Sequence, residues 1–202
     1  RMSHELRTPL NSILGFAQLL ELDELAPDQT DSVAHILKGG RHLLALINEV
    51  LDIARIESGT IALSLEPVAL DVMIEECLDL VRPQAQARHI VLVNADGRHR
   101  HVQADRQRLR QVLLNLLSNA VKFNRDGGSI TVGCDHGDDS VRVWVTDTGP
   151  GIAPGHLGRL FTPFDRLDAE ATGVPGTGLG LALSSRLVHA IEGNMNINTK
   201  PD

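Results

Sequence analysis

Apolar residues recur every three or four positions at the start of the chain, and further on the spacing shortens to two. Over residues 1 to about 22, Leu6, Leu10, Ile13, Ala17 and Leu20 stand in a 4-3-4-3 series, the heptad seam of a packed helix. At roughly 100° per residue, His4 projects about 160° from that seam, and Thr8 lies about 40° from His4 on the same outer side. Pro9 falls inside the pattern. It removes a backbone donor and crowds the preceding turn, so a kink near His4 is expected. Residues 24–27 make a short connection, and Pro27 suits the first turn of a second helix from about 28 to 58. Val33, Ile36, Leu37, Leu43, Leu44, Ile47, Val50 and Leu51 give it an apolar side. Gly39 and Gly40 interrupt it at a cost of about 1 kcal/mol each relative to Ala. Two long amphipathic helices on a short turn make a hairpin whose seam stays partly wet. Pairing two hairpins into a four-helix bundle covers it, so a homodimer is expected.

Gly59 marks the end of the second helix, and the pattern then changes. Alternation at Ile61, Leu63 and Leu65 predicts a strand. Residues 70–88 read as a helix interrupted at Pro83, and residues 90–93 are a short apolar run. Asp105 is a good N-cap for a helix reaching Phe123. Residues 129–134 and 141–145 read as a β-pair across a polar turn. Residues 148–178 are rich in Gly and Pro and read as a long loop, followed by a helix over 179–191 and a short alternating stretch over 195–199. The fold class is therefore α+β: a helical hairpin, then an α/β sandwich with helices on one face of a mixed sheet.

Composition narrows the reading. Of 202 residues, 42% are hydrophobic but only 2% aromatic, so Leu, Ile, Val and Ala must build the core. The formal net charge of -7 argues against nonspecific nucleic-acid binding, which depends on neutralising phosphates, and against a polybasic membrane patch. Cys77 and Cys134 lack metal-ligand spacing and read as reduced thiols, as expected in a cytoplasm. No apolar run approaches the ~18 residues that span a bilayer, and no signal peptide is visible. Both ends look cut, so the chain reads as a fragment of a longer protein that could carry its own membrane anchor.

Four blocks carry candidate chemistry: Ser3-His4-Glu5-Leu6-Arg7-Thr8-Pro9-Leu10-Asn11, Asn115-Leu116-Leu117-Ser118-Asn119-Ala120-Val121-Lys122-Phe123, Asp147-Thr148-Gly149-Pro150-Gly151 and Gly176-Thr177-Gly178-Leu179-Gly180-Leu181. On the predicted helix ending at Phe123, the apolar stripe is Leu109, Val112, Leu113, Leu116 and Ala120. Asn115, Asn119 and Lys122 share a face turned away from it. Carboxamide oxygens suit Mg²⁺ and a lysine suits phosphates, although the same strip also fits a solvated helix face. Asp147 at a strand end can accept from an exocyclic amine such as adenine's; the alternative is a plain Asp-Gly turn. Gly176 to Gly180 run into a helix N-terminus, a ready anion site, without the Lys-Ser/Thr ending of a P-loop. Phe161 and Phe164 sit in the polar loop between the glycine blocks, either as loop anchors or as part of a lid.

In order and spacing these blocks resemble the H, N, G1, F and G2 boxes of bacterial sensor histidine kinases, over nearly the whole chain. The resemblance implies a dimerisation and histidine-phosphotransfer hairpin over 1–58. It implies a Bergerat-type ATP-binding domain, shared with gyrase, Hsp90 and MutL, over 59–202. His4 then matches the phosphoacceptor, Glu5 the adjacent acid that draws its proton, and Thr8 a position implicated in dephosphorylating the response regulator. Asn119 matches the Mg²⁺ ligand, Asn115 its partner one turn earlier, and Lys122 a phosphate contact. Phe123 closes the same box. Asp147 matches the adenine contact, and Gly149, Gly151, Gly176, Thr177, Gly178, Leu179 and Gly180 the loops around the nucleotide. Phe161 and Phe164 match the start of the lid. The implied cofactors are ATP and Mg²⁺, and the implied partners are a second copy of the chain and a response-regulator receiver domain. Related ATPases that hydrolyse usually carry a glutamate where this chain has Asn115, which disfavours hydrolysis. The family domain also continues past a strand like 195–199 into a last strand, which is absent from this chain.

Overall fold

The computed structural model describes residues 2–95, 100–137, 140–167 and 176–199, with the side chains of residues 2–4 outside the description. The chain divides into two compact units, residues 1–61 and 62–202.

The first unit is a hairpin of α1 (Met2–Leu20) and α2 (Pro27–Glu57). α1 continues through Pro9. Pro27 opens α2, and the Gln29 side chain reaches back to accept from the Ala26 N–H at 3.1 Å, satisfying a donor the helix cannot. Gly59, at φ +64°, turns the chain out of α2 in the left-handed conformation glycine tolerates. The core is Leu10, Leu14 and Ala17 against Val33 and Leu37. This differs from the predicted seam. Leu14, which that seam omits, is buried, whereas Leu6, Ile13 and Leu20 are exposed. α1 turns a 4-3 spaced trio toward α2 and leaves a neighbouring apolar stripe facing solvent. α2 also continues through both glycines. At Gly40 the reason is packing: a Cβ there would stand 2.6 Å from Leu14 Cδ2, so its absence lets the helices approach closely.

The second unit holds β1 (Leu65–Ala69), α3 (Leu70–Ala87), β2 (Val91–Asn94), β3 (His101–Asp105), α4 (Arg106–Lys122), β4 (Ser129–His136), β5 (Val141–Asp147), a 3₁₀ turn over Pro154–Arg159 and α5 (Gly180–Ala190). β1 and β3 form an antiparallel pair; β2, β4 and β5 form a second, mixed sheet with β4 in the centre. Its registers pair Val91 with Ser129 in parallel and Ile130 with Asp147 antiparallel. Alternate β4 residues Ile130, Val132 and Cys134 point into one core with Met73, Ile74, Cys77 and Leu78 of α3 and Leu113, Leu117 and Val121 of α4. On the other face Trp144 lies over Gly133, where a Cβ would run into its ring.

Five local expectations are corrected. The first strand covers 65–69 rather than 61–65, because the Ser64 N–H is given to the Asp105 carboxylate at 3.0 Å and pairing starts at Leu65. β3 was not predicted; only Val102 and Ala104 of its five residues are apolar, within a run of Arg and His. The buried side of α4 is shifted toward Leu117 and Val121. Residues 195–199 form no strand, although their burial alternates and the Ile152 N–H donates to Thr199 Oγ1 at 2.9 Å. α3 runs through Pro83, with Val81 and Ala85 buried on either side of it.

Candidate nucleotide site

The site in the second unit is set by both ends of α4. At its start the Asp105 carboxylate accepts the Arg108 N–H at 3.0 Å, as an N-cap should. Burial pushes the Asp105 carboxyl upward, but the N–H groups of Ser64 and Arg108 and the Arg108 charge outweigh it and leave the pKa below the ordinary value.

Further along α4, Asn115 Nδ2 donates to the buried Ser184 hydroxyl of α5 at 2.8 Å. The Asn115 carboxamide fills the space a Cβ at Gly180 would need, with Cγ 3.0 Å from that point. One turn on, Asn119 is half-buried, and its side chain has no hydrogen-bond partner among the described residues. A further turn on, Lys122 Nζ lies 3.7 Å from where a Gly176 Cβ would sit. The Phe123 carbonyl comes within 2.7 Å of a Cβ at Gly149, and the Gly149 N–H binds Asp147 Oδ1 at 2.8 Å. Gly149 thus lets the Asp147 loop close against the end of α4, which a side chain would prevent.

The loop bearing Phe161 and Phe164 joins the same region. Phe164 has φ +64°, rare for an aromatic residue. It is held there by its N–H on the Gly178 carbonyl at 3.0 Å. Gly178, at φ +72°, has no room for a Cβ against the Phe164 backbone. Arg159 meets Asp165 through two bonds of 2.7 and 3.0 Å. The Leu167 N–H and then Arg159 hold the Asp165 carboxyl below the usual carboxylate range. Thr177 Oγ1 accepts the Leu179 N–H at 3.1 Å, and Leu179 is fully buried, anchoring the start of α5.

The fold therefore brings Asn115 to Gly180, Lys122 to Gly176, Phe123 and Asp147 to Gly149, and Phe164 to Gly178. Gly151 is held at φ +72°, and Phe161 is half-buried in the loop before it meets Gly178 through Phe164. Glu5 and Thr8 are exposed on α1 in the first unit, and His4 occupies a helical backbone position there. Residues 168–175, the rest of the predicted long loop, lie outside the described residues.

Comparison with known proteins matches residues 1–59 to the His Kinase A (phospho-acceptor) domain. Residues 104–202 match the histidine kinase-, DNA gyrase B-, and HSP90-like ATPase family. The sensor histidine kinase GacS of Pseudomonas protegens is 39% identical over 207 residues, covering 99% of this chain and 23% of that protein. The chain belongs to the sensor histidine kinases. The non-motile and phage-resistance protein of Caulobacter vibrioides is 41% identical over 209 residues, covering 99% of this chain and 25% of that one. The crystal structure of full-length ShkA in complex with AMPPNP superposes with a TM-score of 0.83 at 40% identity, covering 95% of this chain and 40% of that chain. The chain spans about a quarter of the length of the curated relatives it matches. The two family models account for the helical hairpin and for the ATPase-like domain that follows it. Among the described residues no helix is long and apolar enough to cross a membrane.

Several residues of this histidine kinase site were not singled out from sequence. Ser184 orients Asn115. Asn124 and Thr148 link the end of α4 to the base of β5: Thr148 Oγ1 donates to Asn124 Oδ1 at 3.2 Å and accepts the Ser129 N–H at 2.9 Å. Arg88 binds the carbonyls that end α4. Thr148 stands inside a quoted block and Asn124 directly follows one, so adjacency was a usable signal for both. Ser184 and Arg88 act across 69 and at least 33 residues of sequence, and no local pattern marks them.

Proposed function

We propose that this chain is a histidine kinase core that binds ATP with Mg²⁺, phosphorylates its own His4 and passes the phosphoryl group to an aspartate on a response-regulator receiver domain. Residues 1–58 would be the dimerisation and phosphotransfer hairpin, and residues 59–202 the catalytic domain. The supporting observation is the convergence on α4: two glycine-rich loops far apart in sequence meet its polar strip at Gly149, Gly176 and Gly180.

Asp147 would accept the adenine amine through the carboxylate that the Gly149 N–H already orients. Asn119 offers a carboxamide oxygen that no other described residue engages, a donor suited to a hard ion that keeps most of its waters. When bound, Mg²⁺ supplies charge neutralisation across the phosphates. Asn115 would hold the wall beside Asn119, and Lys122 would offset phosphate charge from the Gly176 side. A neutral His4 nitrogen attacks the terminal phosphorus in line. The N–P bond forms as the bridging P–O bond breaks, and ADP departs. Glu5 accepts the proton that the ring gives up. Transfer to an aspartate carboxylate then restores His4. Thr8 would help orient the water that hydrolyses the aspartyl phosphate on the receiver, releasing inorganic phosphate and the free carboxylate.

A homodimer follows from the exposed apolar stripes on the hairpin. Leu6, Ile13, Phe16 and Leu20 line one helix, and Ile36, Leu43 and Val50, seven apart, line the other. A second hairpin would cover both. This segment would work in the cytoplasm, the compartment that supplies ATP.

The test is incubation with terminally radiolabelled ATP and Mg²⁺. Acid-labile, base-stable label is expected on the chain, and His4→Gln removes it; label that survives this substitution refutes the assignment. Asn119→Ala is expected to abolish Mg²⁺-dependent nucleotide binding with folding intact, and unchanged affinity refutes its ligand role.

A further inference from the structure

We infer that Arg88 is a positioning residue for nucleotide binding. It fixes the last turn of α4, from which the phosphate side and the adenine side of the site both hang. The inference rests on the nucleotide reading above.

Helix ends leave their last carbonyls without intrahelical donors. Here one guanidinium supplies them. Arg88 Nη1 donates to Val121 O at 2.6 Å and Lys122 O at 2.9 Å, and Nη2 donates to Asn124 O at 2.7 Å. Nε donates to Asp126 Oδ1 at 2.9 Å. A planar fork of fixed donors suits this task as a point-charge ammonium does not, and a cation is favoured at the negative end of the helix dipole.

Arg88 is itself held firmly. It caps α3 through its own N–H, and its carbonyl accepts the Gly127 N–H at 3.0 Å. His89 then turns the chain at φ +54° so that buried Ile90 can lead into β2. The guanidinium thus connects the packed α3–β2 corner to residues 121–124.

Three residues of that segment, Lys122, Phe123 and Asn124, carry part of the site. Lys122 sends its ammonium toward Gly176, and the Phe123 carbonyl is the wall against Gly149. Asn124, whose carbonyl Arg88 holds, donates from Nδ2 to Ser129 O at 3.1 Å and accepts from Thr148 beside Asp147. Movement of this turn would therefore shift the lysine and the aspartate loop together. The Asp126 carboxylate is 75% exposed, so that ion pair adds little; the carbonyl bonds carry the effect.

The test uses the full chain, with a fluorescent ADP analogue for affinity, ATP KM and kcat from autophosphorylation, and circular dichroism with urea melts for folding. Arg88→Ala is expected to weaken nucleotide binding by about tenfold to a hundredfold, with KM affected more than kcat. Arg88→Lys should recover only part of the loss, and Asp126→Asn should stay within about twofold of wild type. A purely structural role would lower the melting midpoint but leave the affinity of the folded fraction unchanged, and that outcome overturns the inference. Should Arg88→Ala not fold, Arg88→Lys decides: wild-type affinity overturns the inference, and weakened affinity in a folded protein supports it. Wild-type protein that fails to bind the analogue instead overturns the nucleotide reading, and this inference with it.

Discussion

Asn115 and Ser184 share a 2.8 Å hydrogen bond between α4 and α5, with the serine almost wholly buried. Because Nδ2 is committed to the hydroxyl, Oδ1 is turned toward Gly180, where it takes the room of a Cβ. Gly180→Ala must displace that carboxamide. Overpacking of this kind costs about 1–3 kcal/mol. We expect a stability loss of that size in urea melts, together with at least a tenfold rise in nucleotide Kd. Ser184→Ala removes only the hydrogen bond. It should cost about 1–2 kcal/mol, and a melt unchanged from wild type would show that Asn115 is held by something else.

The two glycines of α2 should respond in opposite directions. Gly39 has open space around a built Cβ, so Gly39→Ala gains helix propensity without a clash and should stabilise the hairpin by about 0.5–1 kcal/mol. Gly40 faces Leu14, whose Cγ would be 3.1 Å from the new methyl group and whose side chain is buried. Gly40→Ala should destabilise by roughly 1–2 kcal/mol after the propensity gain is offset. Thermal melts of the two variants side by side check the sign, and two shifts in the same direction would contradict the packing at Leu14.

The contrast between these glycines shows what sequence could and could not give. Both looked like equal helix interruptions, because propensity is a property of one residue and clearance a property of two helices. The same division holds elsewhere. Asp105 capping α4, the end of α2 at Gly59 and the β4–β5 pair were legible because a single residue type or a two-residue period carries them. The burial of Leu14 in place of Ile13 was not. A helix with two adjacent apolar stripes does not reveal which one its own partner covers. The contacts at Gly149 and Gly180 were foreshadowed by composition, since only glycine permits such close approach. Arg88 and Ser184 had no local signature, because their partners lie on other elements.

Asp105 gives a pH dependence of defined sign. Its folded pKa lies below the ordinary 3.8, so the ionised form is favoured by folding. The stabilisation is therefore fully present above about pH 4 and fades as pH falls through the folded value. Asp105→Ala removes the cap of α4 and the bond to Ser64. At pH 7 it should cost about 1–2 kcal/mol in urea melts. The gap to wild type should narrow steadily below pH 4, as the wild-type carboxyl takes up its proton. A gap that stays constant down to acid denaturation would mean that the side chain acts by packing rather than by charge.

Cys77 provides a probe of opening in the second unit. It is fully buried on α3, and burial pushes its thiol pKa up to about 11, from an ordinary 9.0. At pH 8 an ordinary thiol is about one-tenth thiolate, whereas Cys77 in the folded state is about one part in a thousand, and the thiolate is the reactive form. On a Cys134→Ala background, a thiol-specific reagent should therefore label Cys77 only through unfolded or locally opened molecules. Under conditions where closing outpaces labelling, the rate follows the open population. A ligand that binds only the folded form lowers that population by the factor 1 + [L]/Kd, about a hundredfold at a hundred times Kd. ATP with Mg²⁺ should slow labelling by that factor, and the nucleotide concentration that halves the rate should equal the Kd from direct titration. Rapid labelling of the native protein would contradict the burial of Cys77. Slow labelling that is indifferent to nucleotide would mean that α3 opens without disturbing the site at the far side of its core.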